Sequence, residues 1–191
     1  MVSIARELLG KVLLTNFEGR LCSGMIVETE AYAGPADKAS HAYGGKHTPR
    51  TAPMFGPGGT AYVYLIYGMY DLFNIVTHEK GVPHAVLIRA IEPIEGIDTM
   101  LERRGMETLQ PRITAGPGVL SQALGITRKH SGMNLQGPEI WVENRGILIP
   151  PTDLIAGSRV GVSYAGEDAL LPYRFSVRGN PYVSKGKGLP I

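Results

Sequence analysis

The chain has 191 residues, 43% of them hydrophobic, which is enough for one domain with a buried core. Its formal net charge of +2 is too small to indicate a nucleic-acid partner by itself, and a single cysteine excludes an intrachain disulfide. No stretch approaches the roughly 18 apolar residues of a membrane span, and residues 1–6 lack the pattern of a signal peptide. We therefore expect one monomeric, cytoplasmic domain over residues 1–191, associated with the nucleoid if the source is a prokaryote.

The predicted elements begin with a short helix at residues 3–9, which starts at Ser3 and ends before Gly10. The Gly- and Pro-rich segment 33–60 is longer than a plain connector, so we expect a functional loop there. Hydrophobic alternation and turn residues predict the other elements. These are strands at 11–16, 21–32 and 85–91, a hairpin at 61–67 and 70–77, helices at 94–104 and 118–124, and strands at 140–144, 158–163 and 173–177.

This order of elements predicts the fold class. Hairpins connect most neighbouring strands, and few strands are joined through a helix in the way that a parallel sheet requires. We therefore expect a single α+β domain with a curved, mainly antiparallel, open-barrel-like sheet. Short helices would flank that sheet, and one β-hairpin would protrude from it.

Two glutamates near the end of the strand at 21–32 form the first candidate site. Side chains alternate between the two faces of a strand, so Glu28 and Glu30 lie on the same face, roughly 6–7 Å apart. Arg89 is the single charge in the apolar run 85–91, and a buried arginine needs a carboxylate partner. Such a pair can be purely structural, or it can keep a carboxylate ionised and able to activate water. The pattern does not tell which glutamate would do so.

The tyrosine-rich hairpin is the second candidate site. One face of its first strand carries Tyr62 and Tyr64, and Tyr67 lies beside the turn at Gly68. Tyrosines in strands commonly pack across the sheet, but a ring at a hairpin tip can also project as a wedge that pushes bases out of a stack. Asn74 stands in an apolar run, so its amide needs partners in the protein or in a ligand.

These residues belong to an ordered series of motifs between residues 4 and 184. The series includes Ile26-Val-Glu-Thr-Glu-Ala-Tyr32, Ala39-Ser-His41, Thr48-Pro-Arg50, Tyr62-Val-Tyr64, Ile66-Tyr-Gly-Met-Tyr70, Asn74, Leu87-Ile-Arg89, Gly116-Pro117, Arg159-Val-Gly-Val162 and Arg174-Phe-Ser-Val-Arg178. Each motif is weak alone, but the set in this order is specific. The chain resembles the alkyladenine (3-methyladenine) DNA glycosylase family, in its antiparallel-sheet class.

The resemblance implies an enzyme that flips alkylated or deaminated purines out of duplex DNA and hydrolyses the N-glycosidic bond, leaving an abasic site. The expected lesions are of the 3-methyladenine, 7-methylguanine, hypoxanthine and ethenoadenine class. By their positions in the motifs, Glu30 would activate the attacking water, and Arg89 with the carbonyl of Val160 would hold that water. The damaged base would be bound by Tyr32, Ala39, His41, Tyr64, Asn74 and Leu87.

The resemblance also implies how base and duplex are held. Tyr32 and Tyr64 would sandwich the base, His41 would close the pocket, and Asn74 would obstruct the exocyclic amine of guanine. The hairpin residues Tyr67 and Met69 would enter the duplex. Contacts to the DNA backbone are implied for the loop residues Lys46, Thr48, Arg50 and Met54.

Charge outside these motifs bears on DNA affinity. Val119 stands where many members of the family have a lysine, so we expect one phosphate contact to be missing. The segment 173–191 contains no acidic residue, and its cations are candidates for other phosphate contacts. These cations are Arg174, Arg178, Lys185 and Lys187.

We expect neither a metal nor a cofactor. The five histidines lack the spacing of a zinc site, and the run 56–59 lacks the lysine of a phosphate-binding loop. No lysine lies in a strand of the predicted site, so lyase chemistry through a Schiff base is not expected. Two alternatives remain open: a non-catalytic protein that binds damaged bases on the same fold, and a hydrolase of free nucleosides.

Overall fold

The computed structural model describes residues 1–188, and the last three residues of the expected domain, 189–191, lie outside the described part. The helices and strands found in that part are, in chain order, α1 (Val2–Glu7), β1 (Val12–Phe17), β2 (Arg20–Tyr32), β3 (Ala61–Ile66), β4 (Tyr70–Val76), β5 (Ala85–Glu95), α2 (Ile97–Arg104), α3 (Pro117–Leu124), β6 (Ile140–Glu143), β7 (Leu154–Gly157) and β8 (Arg174–Val177). Short 3-10 helices occupy parts of the connecting loops.

The strands form one curved antiparallel sheet with β2 near its centre. The main path runs β3-β4-β5-β2-β1-β6, and β8 joins it by pairing with β2 and with β7. With 13 residues, β2 is long enough to pair with β1 along its first half and with β8 along its second half. Register irregularities on both sides of Glu28 locally disrupt its pairing with β5, as β-bulges do. The predicted α+β domain with a curved antiparallel sheet is confirmed.

The main hydrophobic core lies between the helices and one face of the sheet. Ala5 of α1, Met100 of α2 and Leu124 of α3 are buried there against Ile26 of β2 and Ile88 of β5. Each large aliphatic side chain buried in this way contributes roughly 1.5–3 kcal/mol of burial free energy. The core therefore supports the sheet from one side and leaves the opposite face of β2 and β5 available for a site.

Alternation along β2 decides which residues reach that opposite face. The Thr29 hydroxyl donates a 2.8 Å hydrogen bond to the carbonyl of Ala5 in α1, so Thr29 faces the core. Its neighbours Glu28 and Glu30 therefore point away from α1, as the period of two in a strand requires. The predicted common face of the two glutamates is confirmed, and both contact Arg89.

Three predicted elements differ from the structure, and the strand β7 was not predicted. The helix predicted at 3–9 spans Val2–Glu7, and its N-cap is Met1 rather than Ser3. The strand predicted at 158–163 is wrong: β7 ends at Gly157, and the chain leaves the sheet where Arg159 turns inward to a buried partner, Asp37. The helix predicted at 94–104 begins only at Ile97, because β5 continues to Glu95 and Gly96 adopts a left-handed φ of 73°.

Among residues 1–188, no helix combines the length and the apolar character needed to cross a membrane.

Candidate active site

A cavity of about 730 Å³ opens on the face of the sheet opposite the main core. Its size lies in the range of pockets that bind small ligands, which is roughly 300–1,000 Å³. Most of the residues singled out in the sequence converge on it. Those that line the cavity are Glu30, Tyr32, Ala39, His41, Met54, Tyr64, Tyr67, Asn74, Leu87, Arg89 and Val160.

Glu30 lies in the wall of the cavity with no exposed surface of its own. One carboxylate oxygen, Oε1, accepts a 2.7 Å hydrogen bond from the backbone N–H of Val160 and lies 3.2 Å from Nη1 of Arg89. The other, Oε2, accepts a 2.8 Å hydrogen bond from the hydroxyl of Tyr32. Burial, reinforced by the neighbouring negative charge, raises the pKa of Tyr32 well above its ordinary value, so this hydroxyl keeps its proton and remains a donor.

Glu28 has a different environment, because its carboxylate is saturated by protein groups and does not line the cavity. It accepts hydrogen bonds from Nε of Arg89 at 2.9 Å, from Nε of Arg174 at 2.7 Å, and from the backbone N–H of Ser184 at 2.8 Å. Burial opposes its ionisation, but the charges of Arg89 and Arg174 outweigh burial, so the pKa of Glu28 lies below its ordinary value. The structure thus separates two glutamates that the sequence pattern leaves equivalent.

His41 closes one side of the cavity as a neutral ring. Its Nδ1 is 2.8 Å from the hydroxyl of Tyr62, and its ring meets that of Tyr64 edge-on, with centroids 4.5 Å apart. Burial, together with the positive charges of Arg50 and Lys46, lowers the pKa of His41 to about 4. At neutral pH the ring is therefore uncharged, and it adds no positive charge to the aromatic wall.

Comparison with known proteins assigns the chain to a family. The family model described as methylpurine-DNA glycosylase (MPG) matches residues 1–181. The chain belongs to the methylpurine-DNA glycosylase family. It is therefore a DNA glycosylase, a hydrolase of N-glycosyl bonds with DNA as its substrate, and the resemblance seen in the sequence is confirmed.

Relatives of similar length support the assignment. A protein of Bacillus cytotoxicus is 44% identical over 196 residues, which cover 96% of this chain and 94% of the relative. Proteins of Bacillus cereus (strain G9842) and Bacillus thuringiensis (strain Al Hakam) are each 45% identical with the same coverage. All three carry the name "Putative 3-methyladenine DNA glycosylase". The chain is thus similar to them over nearly its whole length.

The protruding hairpin of this glycosylase carries its most exposed aromatic residue at the tip. Tyr67 is 82% exposed and Met69 is 69% exposed, on either side of Gly68. The backbone of Tyr67 has a left-handed φ of 53°, which is uncommon for a residue with a side chain and is supported here by the tight turn. Tyr67 also lines the mouth of the cavity, so the tip stands directly beside the entrance.

The loop residues implied as DNA-backbone contacts occupy different environments. Lys46 is exposed, and Thr48 shares hydrogen bonds with Thr51 that brace its own turn. The guanidinium carbon of Arg50 lies 5.1 Å from the centroid of the Tyr64 ring, which lines the cavity. Met54 is only 2% exposed and is part of the cavity wall.

The amide group of Asn74 is held in place by the main chain of the hairpin. Its Nδ2 donates to the main-chain carbonyls of Tyr62 and Leu72, at 3.1 and 3.3 Å, which occupies both of its hydrogens. The side chain lines the cavity and is only 3% exposed. Its position is therefore fixed by the β3–β4 hairpin.

The structure gives some of these residues roles that the sequence did not indicate, and it adds Tyr164 to the site. The Val160 N–H and the Tyr32 hydroxyl bond to Glu30, whereas the sequence indicated only a carbonyl and a ring face at these positions. Arg174 is engaged by Glu28 and is therefore not free for a phosphate. Tyr164 lies at the rim of the cavity, where its hydroxyl donates to the carbonyl of Ala39 at 3.2 Å. Tyr164 follows the Arg159-Val-Gly-Val162 motif closely, which is the one sequence signal that could have indicated it.

Among residues 1–188, no group of three or more His, Cys, Asp or Glu side chains is arranged to hold a metal ion. The lining of the cavity includes no lysine. Val119 lies on the cavity wall in the first turn of α3. That turn approaches the hairpin closely at Gly118, where a Cβ atom would come within 2.7 Å of the Tyr70 ring.

Proposed function

We propose that this glycosylase removes alkylated or deaminated purines from duplex DNA by hydrolysis with water activated by Glu30. The observation that carries the proposal is a buried carboxylate in the wall of an aromatic cavity large enough for a purine. Water would attack C1′ of the sugar and give a proton to Glu30, while the N-glycosidic bond breaks and the purine leaves with the bonding electrons. A purine alkylated at a ring nitrogen is positively charged and leaves as a neutral base, whereas a deaminated purine leaves as an anion that takes a proton from the surrounding water. The products are a free base and an abasic site.

The hydrogen bonds of Glu30 fit the role of a general base. An ionised carboxylate offers about four lone-pair positions. Val160 and Tyr32 donate hydrogen bonds to Glu30 at 2.7 and 2.8 Å, and Nη1 of Arg89 forms an ion pair with it at 3.2 Å. The two hydrogen bonds leave lone-pair positions for a water molecule.

The walls of the cavity suit a flat base. Tyr32, Tyr64 and His41 supply three rings, and Ala39 and Leu87 add apolar surface. Purines alkylated at ring nitrogens carry a positive charge, which the faces of aromatic rings attract. A neutral His41 does not repel such a base. The base would reach the cavity by flipping out of the duplex, with Tyr67 and Met69 filling the space it leaves.

Replacing Tyr67 with alanine is expected to weaken excision because nothing then fills the vacated stack. The loss of a stacking ring is worth roughly 1–3 kcal/mol, so the lesion affinity is expected to fall by about 5–150-fold. The defect should be largest for a well-paired lesion and smallest for the same lesion in single-stranded DNA, where flipping costs less. Tyr43→Ala, on another exposed tyrosine, is the control. Equal losses on both substrates would contradict the wedge assignment.

Shortening Asn74 to serine is expected to relax selectivity against guanine. Asn74 is held by two main-chain carbonyls, and its side chain would occupy the space that the 2-amino group of guanine requires. Serine leaves that space open and loses the bonds that fix the amide. We expect release of free guanine from undamaged duplex to rise above the wild-type level, measured by chromatography of the released bases. An unchanged guanine release would remove Asn74 from the selectivity of the pocket.

The proposed function is tested by measuring free base released from four defined duplexes. Each duplex contains one lesion: 3-methyladenine, 7-methylguanine, hypoxanthine or ethenoadenine. The wild-type protein should release at least one of them and leave an uncut abasic strand that breaks only after alkaline treatment, since no lysine lines the cavity. Binding without release would support the non-catalytic alternative. A monomeric state, a cytoplasmic location and the backbone contacts of Lys46, Thr48, Arg50 and Met54 stay predictions.

A further inference from the structure

Arg159 is a fully buried charge that does not line the cavity. Both of its terminal nitrogens donate to the carboxylate of Asp37, in a paired arrangement in which Nη2 lies 2.9 Å from Oδ1. The same nitrogens donate to two main-chain carbonyls, that of Ala31 at 3.0 Å and that of Asp168 at 2.9 Å. Removing two charges from water is costly, and the cost is offset only when the pair has good geometry and further hydrogen-bond partners. Arg159 and Asp37 have both.

Two aromatic rings hold the guanidinium from its sides. Its central carbon lies 4.9 Å from the centroid of the Tyr32 ring and 5.4 Å from that of the Tyr173 ring. Contacts of a guanidinium with ring faces at such distances are attractive, and more so when water is excluded. Arg159 therefore fixes the ring of Tyr32, whose hydroxyl is one of the donors to Glu30.

Arg159 is connected to the carboxylate of Glu30 by three short routes. The Tyr32 ring packs against it, and Ala31, whose carbonyl it binds, lies between Glu30 and Tyr32 in the chain. Val160, whose N–H donates to Glu30, is the next residue after Arg159. Both uncharged donors to Glu30 are thus held by one guanidinium.

We propose that Arg159 is a positioning residue that aligns Glu30 to take the proton of the attacking water. The proposal rests on the proposed function of Glu30. Asp37 binds the guanidinium and also contacts the loop that follows β2. Its carboxylate accepts hydrogen bonds from the backbone N–H groups of Ala33 at 3.0 Å and Ala39 at 2.9 Å. The pair therefore links the loop that lines the cavity to the strand that carries Glu30.

Arg159→Lys is the first test, because lysine keeps the charge but cannot form the paired, planar contact with Asp37. We expect the single-turnover rate at saturating enzyme to fall by about 10²-fold, the usual effect of displacing a reacting group by about 1 Å. The Kd for lesion DNA should change by less than about threefold, since the base-contacting rings remain. A purely structural role would reduce the folded fraction without lowering the rate per folded molecule. Arg104→Lys, on an arginine that donates to Ile113 and Gln122, is the matched control.

A double-mutant cycle with Tyr32→Phe tests the route of the effect. If Arg159 acts through the donors to Glu30, the loss caused by Arg159→Lys should be clearly smaller in the Tyr32→Phe background than in the wild type. Equal losses in both backgrounds would exclude the route through Tyr32. Asp37→Asn, which is isosteric, gives the same measurements if Arg159→Lys does not fold.

The outcomes separate this inference from the proposed function. A wild-type protein that releases no base from any lesion would overturn the proposed function itself. An active wild type, an inactive Glu30→Gln variant and an Arg159→Lys variant with the wild-type single-turnover rate would overturn only the positioning role. A low rate at unchanged Kd, with non-additivity in the cycle, would support it.

Discussion

Replacing Glu30 with glutamine is expected to lower the single-turnover rate of base excision by about 10²–10⁴-fold, the usual loss when a general base is removed. Glutamine has the same shape, and its amide oxygen can still accept the N–H of Val160. The amide nitrogen would face the hydroxyl of Tyr32, which can rotate to accept. Arg89 keeps its second carboxylate, Glu28. The fold and the affinity for lesion DNA should therefore survive, while the proton of the attacking water has no acceptor.

The measurement is release of free base at enzyme concentrations above the Kd, so that binding does not limit the rate. A matched control is Glu92→Gln on the same sheet, whose carboxylate accepts a hydrogen bond from Asn180 and does not line the cavity. Glu92→Gln should retain close to the wild-type rate. A Glu30→Gln variant that keeps more than a tenth of that rate would show that Glu30 is not the general base.

The fold could be predicted from the sequence wherever local patterns decide it. Alternation and turn residues indicated β1, β2 and the β3–β4 hairpin, because strand faces and tight turns depend on neighbours in the chain. The same reading failed at 158–163. Val160 and Val162 give the segment the pattern of a strand, but the ion pair between Arg159 and Asp37, 122 residues apart, holds it off the sheet. A contact between residues so far apart in the chain cannot be recognised from the local sequence pattern.

The candidate site, like the fold, could be predicted from the sequence only where neighbouring residues decide it. The spacing of Glu28 and Glu30 and the lone charge of Arg89 predicted that the three would meet, and they do. The pattern could not tell the two carboxylates apart, because the groups that distinguish them come from far along the chain. Val160, which bonds to Glu30, is 130 residues away, and Ser184, which bonds to Glu28, is 156 residues away. Only the tertiary fold brings Ser184 to Glu28 and Val160 to Glu30.

Replacing Glu28 with glutamine is expected to act mainly on stability, lowering the free energy of unfolding by about 3–5 kcal/mol. The neutral amide would leave the buried charges of Arg89 and Arg174 without their common partner. The backbone N–H of Ser184 would share one remaining acceptor with both guanidinium groups. Urea unfolding at neutral pH measures the loss. Glu95→Gln is the control, because its partly exposed pair with Arg145 should be worth only about 0–1 kcal/mol.

The stabilising effect of Glu28 should also depend on pH in a defined direction. Arg89 and Arg174 overcome the effect of burial and hold the folded-state pKa of Glu28 below its unfolded value, which is about 4.3. The ionised group therefore stabilises the fold fully above that unfolded pKa, and the stabilisation is lost as the pH falls through the lower folded-state pKa. The stability difference between the wild type and Glu28→Gln should be constant at neutral pH and should shrink on acidification below about pH 4. A difference that stays constant to the acid limit of the folded state would show that the charge of Glu28 does not contribute to stability.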